Sequence, residues 1–458
     1  METLSRDVVE CGRDLMLMLH NRLDAAIEDS LQRTLSGEPL SPDQAYRLAG
    51  ARGSELSALL LTASLVRDRG WGRAVTYSRK VFIPLTNLCR DHCRYCTFAQ
   101  APNSLAARTL RPAEVLAIAR AGAAAGCKEA LFSLGERPEE VYERARSDLR
   151  ALGYATTTEY LVAMCRLVFE ETGLLPHANC GVLDPDELTA LRPWNVSMGL
   201  MLENSSERLL GPGLAHAGSP GKIPALRLKT VEDGAHAGIP FTTGILIGIG
   251  ETLAERVDSI VAIRDLQERA GNVQEVIVQN FRAKADTPMR GADEPSAFEM
   301  ARTIAVARLI LGPAMSIQAP PNLTPDAYGI YLLAGINDWG GVSPVTADHI
   351  NPEAPWPALD ELRAISAEAG FSLRERLAIY PRYQTAATLR EPLAGRVRSL
   401  VDRTGYVRHE LEANSARPAS STRPPRAPIR RRANLPLVHE RGDSRPGITA
   451  PAAEEIQP

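Results

Sequence analysis

Three cysteines carry the first chemical signal. Cys89, Cys93 and Cys96 lie in the stretch Cys89-Arg90-Asp91-His92-Cys93-Arg94-Tyr95-Cys96, a CxxxCxxC spacing. The preceding run Lys80-Val81-Phe82-Ile83-Pro84 reads as a strand, so the thiols sit on the loop after it and can turn toward one metal centre. Two metals are open on this spacing. A structural zinc site is closed by four ligands, so it would need His92 or a distant cysteine as the fourth. A 4Fe-4S cluster takes thiolates, and three of them leave one iron open to a substrate or cosubstrate. The two-by-two spacing of zinc ribbons is absent. Cysteines at 11, 127, 165 and 180 bring the total to seven, and an odd, uneven set does not read as a disulfide framework. Cys127, Cys165 and Cys180 read as small buried hydrophobes. Cys11 is assigned no role.

Further candidates close other strand-like runs. Ser133-Leu134-Gly135-Glu136 ends the second run, and Pro176-His177-Ala178-Asn179 ends the third. Met201-Leu202-Glu203 follows the fourth. Gly244-Ile245-Leu246-Ile247-Gly248-Ile249-Gly250-Glu251 ends the fifth, where glycines let backbone approach a ligand closely. No Gly-Lys-Ser/Thr follows, so it is not a P-loop. Glu251 is expected to cap the next helix rather than touch a ligand. Gln279-Asn280-Phe281-Arg282 and Gln318-Ala319-Pro320-Pro321-Asn322-Leu323 follow the sixth and seventh runs, and the string Gly335 to Pro344 comes last. Asn179, Asn280, Gln318, Asn322, Asn337 and Asp338 thus gather polar groups on one rim, suited to a uracil-like ring and a polyol and poorly to a purely apolar ligand. They are the expected substrate contacts, and His177 is expected to be structural.

The elements that must position these residues alternate in kind. Strand-like runs at 80–84, 129–133, 175–179, 195–199, 241–247, 275–280 and 315–318 are separated by helical periodicity, as in Pro112–Ala125, Glu159–Thr172, Leu253–Ala270 and Ser296–Leu311. That pattern predicts an α/β fold of parallel β/α units. Seven in a row favour a TIM-type barrel, complete or partial, whose site lies at the strand C-termini. Residues 1–75 are expected to form a helical N-terminal extension, with a helix start at Ser41-Pro42-Asp43 and helical spacing from Gln44 to Val66. The barrel is expected over 76–385 and a C-terminal helical extension over 386–414. Residues 415–458 hold 8 Pro, 8 Arg and no aromatic residue, too little apolar surface to offset ordering, so a disordered tail is expected.

Composition bounds the function classes. Lys plus Arg number 52 against 55 Asp plus Glu, so the chain as a whole gives no argument for nucleic acid. No apolar run reaches the ~20 residues of a membrane span. The first residues lack a small-residue cleavage site. A cytoplasmic enzyme with a small-molecule substrate is expected.

A CxxxCxxC loop after the first strand of a β/α barrel resembles the radical S-adenosylmethionine superfamily. The resemblance implies a 4Fe-4S cluster on Cys89, Cys93 and Cys96. It implies S-adenosyl-L-methionine chelated at the open iron and cleaved to methionine and a 5′-deoxyadenosyl radical. It places Tyr95 near the adenine, Ser133, Gly135 and Glu136 at the methionyl ammonium, Glu203 at the ribose, and Gly244 and Gly248 beside the adenine. The glycine–glutamate motif reads LGE here where the family has GGE.

Longer strings narrow the choice. The loop opened by Pro84-Leu85-Thr86-Asn87-Leu88-Cys89, the string Thr243–Glu251 (TGILIGIGE) and the string Gly335–Thr346 (GINDWGGVSPVT) occur in order between Thr76 and Tyr383. Together they are similar to the first-subunit family of 7,8-didemethyl-8-hydroxy-5-deazariboflavin (FO) synthases of coenzyme F(420) biosynthesis. That resemblance implies ring closure of 5-amino-5-(4-hydroxybenzyl)-6-(D-ribitylimino)-5,6-dihydrouracil with release of ammonia, a carbon–nitrogen lyase reaction. A companion radical enzyme would supply this adduct by joining a tyrosine-derived 4-hydroxybenzyl group to 5-amino-6-(D-ribitylamino)uracil, and an electron donor would be needed. The chain carries one CxxxCxxC, whereas some relatives of this type carry both halves in one polypeptide. Two rivals are another radical enzyme of the aminofutalosine or biotin synthase type, and a zinc-stabilised nucleic-acid-binding protein using Arg430-Arg431-Arg432 in the tail.

Overall fold

The computed structural model describes residues 23–413. Cys11 and the tail 415–458, with its arginine run, lie outside the described residues. Three helices lead in: α1 (Ala25–Leu35), α2 (Pro42–Ala49) and α3 (Gly53–Trp71). The helix start at Ser41 is a reciprocal cap. Ser41 Oγ accepts from the Gln44 N–H at 3.3 Å and Gln44 Oε1 accepts from the Ser41 N–H at 3.0 Å, with Pro42 at the first position. The helical spacing read from Gln44 to Val66 is broken between α2 and α3, where Gly50 ends one helix and Gly53, at φ +53°, begins the next.

Nine parallel strands follow. They are β1 (Ala74–Pro84), β2 (Glu129–Ser133), β3 (Leu175–Asn179), β4 (Ser197–Gly199), β5 (Phe241–Ile247), β6 (Val273–Asn280), β7 (Ser316–Gln318), β8 (Asp338–Val342) and β9 (Ser372–Glu375). The first eight pair in sequence order, and β1 pairs both β2 and β8, so they close an eight-stranded parallel barrel. The intervening helices are α4 (Pro112–Ala124), α5 (Glu143–Leu152), α6 (Thr157–Thr172), α7 (Pro185–Leu191), α8 (Pro224–His236), α9 (Leu253–Ala270), α10 (Ala297–Leu311), α11 (Tyr328–Leu333) and α12 (Leu359–Glu368). Short polar side chains start several of them. Thr156 with Glu159, Asp184 with Glu187, Thr252 with Glu255 and Ser296 with Glu299 each form reciprocal caps that satisfy first-turn N–H groups. Among the described residues no helix is long and apolar enough to cross a membrane.

Two features were not expected. The eighth barrel strand lies inside the string read as the last rim segment. Thr76, near the start of β1, pairs with Asp338, the first residue of β8, so Asn337 and Asp338 stand at the strand N-termini, opposite the rim. Secondly, the chain after β9 passes under the barrel. Leu377, Ile379 and Tyr380 are buried there, and Arg376 enters the barrel, where it pairs with Asp338 (Nε–Oδ2 2.6 Å) and Glu275 (Nη2–Oε1 2.7 Å). Beyond it lie α13 (Leu393–Leu400) and α14 (His409–Ala413).

Candidate active site

The cysteine loop is tied down from two sides. On one side β2 continues into it. Leu85 N donates to Ser133 O at 3.0 Å, Gly135 N to Thr86 O at 2.8 Å, and Arg90 N to Glu136 O at 2.8 Å. Cys89 Sγ accepts from the Glu136 N–H at 3.2 Å and the Asp91 N–H at 3.4 Å. A Cβ at Gly135 would lie 1.8 Å from Leu88 O, so only glycine permits this approach. On the other side lies the segment after β4. Ser219 Oγ accepts from His92 N at 3.0 Å, Ala215 O from Arg94 N at 2.9 Å, and Asp91 Oδ1 from Gly221 N at 2.9 Å.

A cavity of about 250 Å³ opens at the C-terminal mouth of the barrel. Cys89, Cys93, Cys96, Tyr95, Ser133, Gly135, Glu136, Asn179, Glu203 and Asn280, all singled out from the sequence, line it. Glu136 is wedged where a Cβ on Gly181 or Gly221 would come within 2.1 and 2.3 Å of its carboxylate. Arg90 pairs with it at 2.7 Å. Glu203 holds a left-handed backbone, φ +63°, which is uncommon and costly for a side chain other than glycine. Its N–H reaches Gly244 O and its C=O accepts from Leu246 N, both at 3.0 Å, which pins it beside β5. Burial alone raises its carboxyl, but Lys222, 2.7 Å away, and Arg227 outweigh that and hold it below the usual range. Tyr95 is buried, with its hydroxyl 3.1 Å from His216 Nε2.

Gly244 and Gly248 line neither this cavity nor the one below it. A Cβ on Gly244 would meet Ile277 O at 2.1 Å, and one on Gly248 would meet Pro295 Cγ at 2.4 Å, so both glycines serve close packing of the chain itself. Glu251 does not reach a ligand site. It accepts from the N–H groups of Gly248 and Ile249 at 2.8 Å and pairs with Arg256 at 2.6 Å, while Thr252 caps the helix.

A second cavity, about 180 Å³, continues down into the barrel. Ser133, Asn179, Met201 and Gln279 line both cavities, so the two are contiguous. Gln318 and Asn322 line the lower one, with Lys80, Glu129, His177, Glu275 and Arg376. Asn337 and Asp338 do not. Asn337 Oδ1 accepts from Arg308 Nη2 at 2.7 Å and Ile317 N at 2.8 Å, and its Nδ2 donates to Ser316 Oγ at 2.9 Å. Asp338 is saturated by Arg376, Thr76 and the Gly340 N–H. Their side chains brace the barrel floor because β8 starts there. His177 is oriented by its neighbours: Ser197 Oγ donates to Ala378 O at 2.6 Å and so takes the Nδ1–H of His177 at 2.8 Å.

That histidine gives a pH prediction. Burial holds His177 down, from 6.5 to about 4. Between those values the unfolded chain binds the proton and the folded chain does not. The stability it contributes is therefore complete above pH 6.5 and lost as pH falls toward 4, at about 1.4 kcal/mol per unit or ~3 kcal/mol in all. Urea unfolding at a series of pH values should show a shallower acid loss in His177→Asn than in the parent. A parallel pair of curves would contradict the assignment.

Cys127, Cys165 and Cys180 are buried, as expected. The donor set at the other three fits a 4Fe-4S cluster. His92, the nearest candidate for the fourth ligand that a closed zinc site needs, is exposed. Burial pushes the Cys89 thiol up to about 12 and raises Cys93 as well. A cationic centre bound by such thiols would hold them as thiolates. Sequence reading missed Asp91, His216 and Lys222, which sit in irregular segments, and Arg227, on α8. It also missed Lys80, Glu129 and Glu275, although a charge inside a run read as a buried strand is itself a signal.

A profile of the Radical SAM superfamily matches residues 83–263. The FO synthase of Mycobacterium tuberculosis is 49% identical over 403 residues, covering 84% of this chain and 47% of that protein. The 7,8-didemethyl-8-hydroxy-5-deazariboflavin synthase of Methanopyrus kandleri is 51% identical over 334 residues, covering 73% of this chain and 100% of that protein. The chain thus spans about half the length of the FO synthases it matches and the whole of the shorter relative. Among solved structures, the FeFe-hydrogenase maturase HydG from Carboxydothermus hydrogenoformans superposes with a TM-score of 0.64 at 18% identity, covering 89% of this chain and 99% of that one. Methylornithine synthase does so with a TM-score of 0.60 at 19% identity, covering 75% and 96%. These two show the fold. The cofactors of the matched superfamily are a 4Fe-4S cluster and S-adenosyl-L-methionine. On the cysteine loop, the closed barrel and 51% identity along an entire shorter relative, the chain belongs to the 7,8-didemethyl-8-hydroxy-5-deazariboflavin synthase family of the radical SAM superfamily.

Proposed function

We infer that this chain closes the central ring of the deazaflavin FO from a hydroxybenzyl–ribityluracil adduct, releasing ammonia as a carbon–nitrogen lyase. The observation that carries this is the identity along the full length of the Methanopyrus kandleri synthase. The geometry agrees, because the cysteine-lined cavity is contiguous with a second one rich in hydrogen-bonding groups. We assign the adduct's supply to a companion radical SAM subunit, the reducing electron to a separate donor, and the reaction to the cytoplasm.

When bound, the cluster and S-adenosyl-L-methionine supply a 5′-deoxyadenosyl radical that removes a hydrogen atom from the substrate. The chain's own residues do the rest. Cys89, Cys93 and Cys96 hold the cluster. Glu136 and Ser133, with the backbone at Gly135, would take an ammonium, and Glu203 would take ribose hydroxyls, its carboxylate kept ionised by Lys222. Tyr95 closes one wall of the upper cavity. Asn179 lines both cavities and Asn280 the upper one, beside the cysteines, where a substrate ring would meet the cofactor. Both polar atoms of Asn280 are buried without a partner, and a buried unpaired amide is costly unless a ligand completes it. The walls exclude water and reductants that would quench a radical.

The test is anaerobic reconstitution with iron and sulfide, then incubation with S-adenosylmethionine, dithionite and the adduct, read by fluorescence and mass. A fluorescent deazaflavin with 5′-deoxyadenosine is expected. 5′-Deoxyadenosine without the deazaflavin would overturn the substrate and keep the radical chemistry. Bound zinc, no iron uptake and neither product would overturn both.

A further inference from the structure

The interior of a β/α barrel is ordinarily filled by branched apolar side chains. Here one layer of it is charged. Lys80 on β1, Glu129 on β2 and Glu275 on β6 all line the lower cavity, and all are buried. Lys80 Nζ lies 2.7 Å from Glu129 Oε1. Side chains two apart on a strand share a face, and two residues nearer the rim the same three strands present Phe82, Leu131 and Ile277, which also line the cavity. The well therefore has a charged lower layer and an apolar layer above it, toward the cysteines.

The lower layer offers unused hydrogen-bonding capacity of alternating kind. An ammonium carries three donors, of which Glu129 takes one. His177 spends its Nδ1–H on Ser197, which leaves Nε2 as an acceptor. Nearer the rim, four residues beyond the end of β7, Asn322 also lines the cavity and has a buried Oδ1 without a partner. The walls leave room for these groups only through missing side chains. A Cβ on Gly199 would stand 2.8 Å from His177 Nε2, one on Gly340 2.0 Å from Gln318 Nε2, and one on Gly341 2.4 Å from Lys80 Cε.

We propose that this lower well is a polyol subsite that takes a linear chain of hydroxyls on Lys80, Glu129, His177, Gln318 and Asn322. The apolar layer of Phe82, Leu131 and Ile277 then holds the ring to which that chain is attached, next to the cofactor cavity. A hydroxyl both donates and accepts, so a polyol matches a lining that mixes carboxylate, ammonium, amide and imidazole. An alkyl chain of the same length would leave those groups unpaired, which is the contrast a buried polar site discriminates most strongly. The proposal rests on the deazaflavin reading, in which the ribityl chain is the polyol.

Equilibrium dialysis of the cluster-loaded chain with S-adenosylmethionine tests it, using 5-amino-6-(D-ribitylamino)uracil and its 6-pentylamino analogue as probes. The ribityl probe should bind at least about tenfold more tightly to the parent, and that gap should fall to roughly threefold or less in Lys80→Met/Glu129→Leu, which removes both charges together. Gln318→Leu unpairs no buried charge, keeps the test open if the double variant fails to fold, and should narrow the gap at least about threefold. Equal binding of the two probes to the parent would overturn the subsite, as would an undiminished gap in every variant that folds. The reading it rests on fails separately. A parent that prefers the ribityl probe yet makes no deazaflavin would keep the subsite and lose the reaction. A parent that makes deazaflavin while the two probes tie would do the reverse.

Discussion

Replacing any one of Cys89, Cys93 or Cys96 with Ala should abolish both iron binding and S-adenosylmethionine cleavage. Loss of an outer partner of a metal ligand already costs about 10–100-fold in affinity or activity, and loss of a ligand itself costs more. The three are not interchangeable with the other thiols. Cys127, Cys165 and Cys180 are buried, and only the clustered three line the upper cavity. Iron and sulfide analysis of the reconstituted chain, with 5′-deoxyadenosine measured by mass, should read near zero for the three variants. Cys127→Ala should keep both signals. If Cys93→Ala still cleaved S-adenosylmethionine, the cluster would not sit on this loop.

How much of this was legible beforehand depends on what each residue's neighbours are. The cysteine loop was readable because its three cysteines are close in sequence and the strand before it is rich in β-branched residues. Glu136, Glu203, Asn179 and Asn280 were readable because each lies at or just beyond a strand C-terminus, and a parallel barrel gathers such ends on one rim. The same rule misplaced Asn337 and Asp338. Asp338-Trp339-Gly340-Gly341-Val342 sets an aspartate and two glycines against Trp339 and Val342, so its strand signal is weak. Yet its glycines are there because Gln318 and Lys80 occupy the space that side chains would take. Gly244 and Gly248 failed for a related reason: a glycine that admits a neighbouring strand or a proline ring looks in sequence like one that admits a ligand. Lys222 and Arg227 were invisible because their partners, Glu203 and Glu136, lie in other segments and meet them only through the fold.

The largest stability effect is expected below the site. Arg376 was not singled out from the sequence, yet it binds two buried carboxylates at once, Asp338 through Nε and Nη2 at 2.6 and 2.9 Å and Glu275 through Nη2 at 2.7 Å. Tyr380 adds its ring, 4.3 Å from the guanidinium, and its hydroxyl, which donates to Glu275 at 2.9 Å. Burial raises the Glu275 carboxyl and Arg376 opposes that rise. Arg376→Met removes the cation that pairs with both carboxylates and leaves both in the barrel floor. Breaking a buried ion pair from one side costs about 3–5 kcal/mol, a large share of the ~5–15 kcal/mol by which a domain is stable. The urea midpoint should fall accordingly, with little change in slope. The converse half of the prediction separates charge from packing. Arg376→Met combined with Glu275→Gln and Asp338→Asn removes this charge set as a whole, so it should recover most of the lost midpoint, since neutral replacement of a whole buried charge set is often close to neutral. If the triple variant stayed as unstable as Arg376→Met, the arginine would be holding the floor by its bulk under Tyr380 rather than by its charge. The polar well above would then need another account of how its lower layer stays ionised.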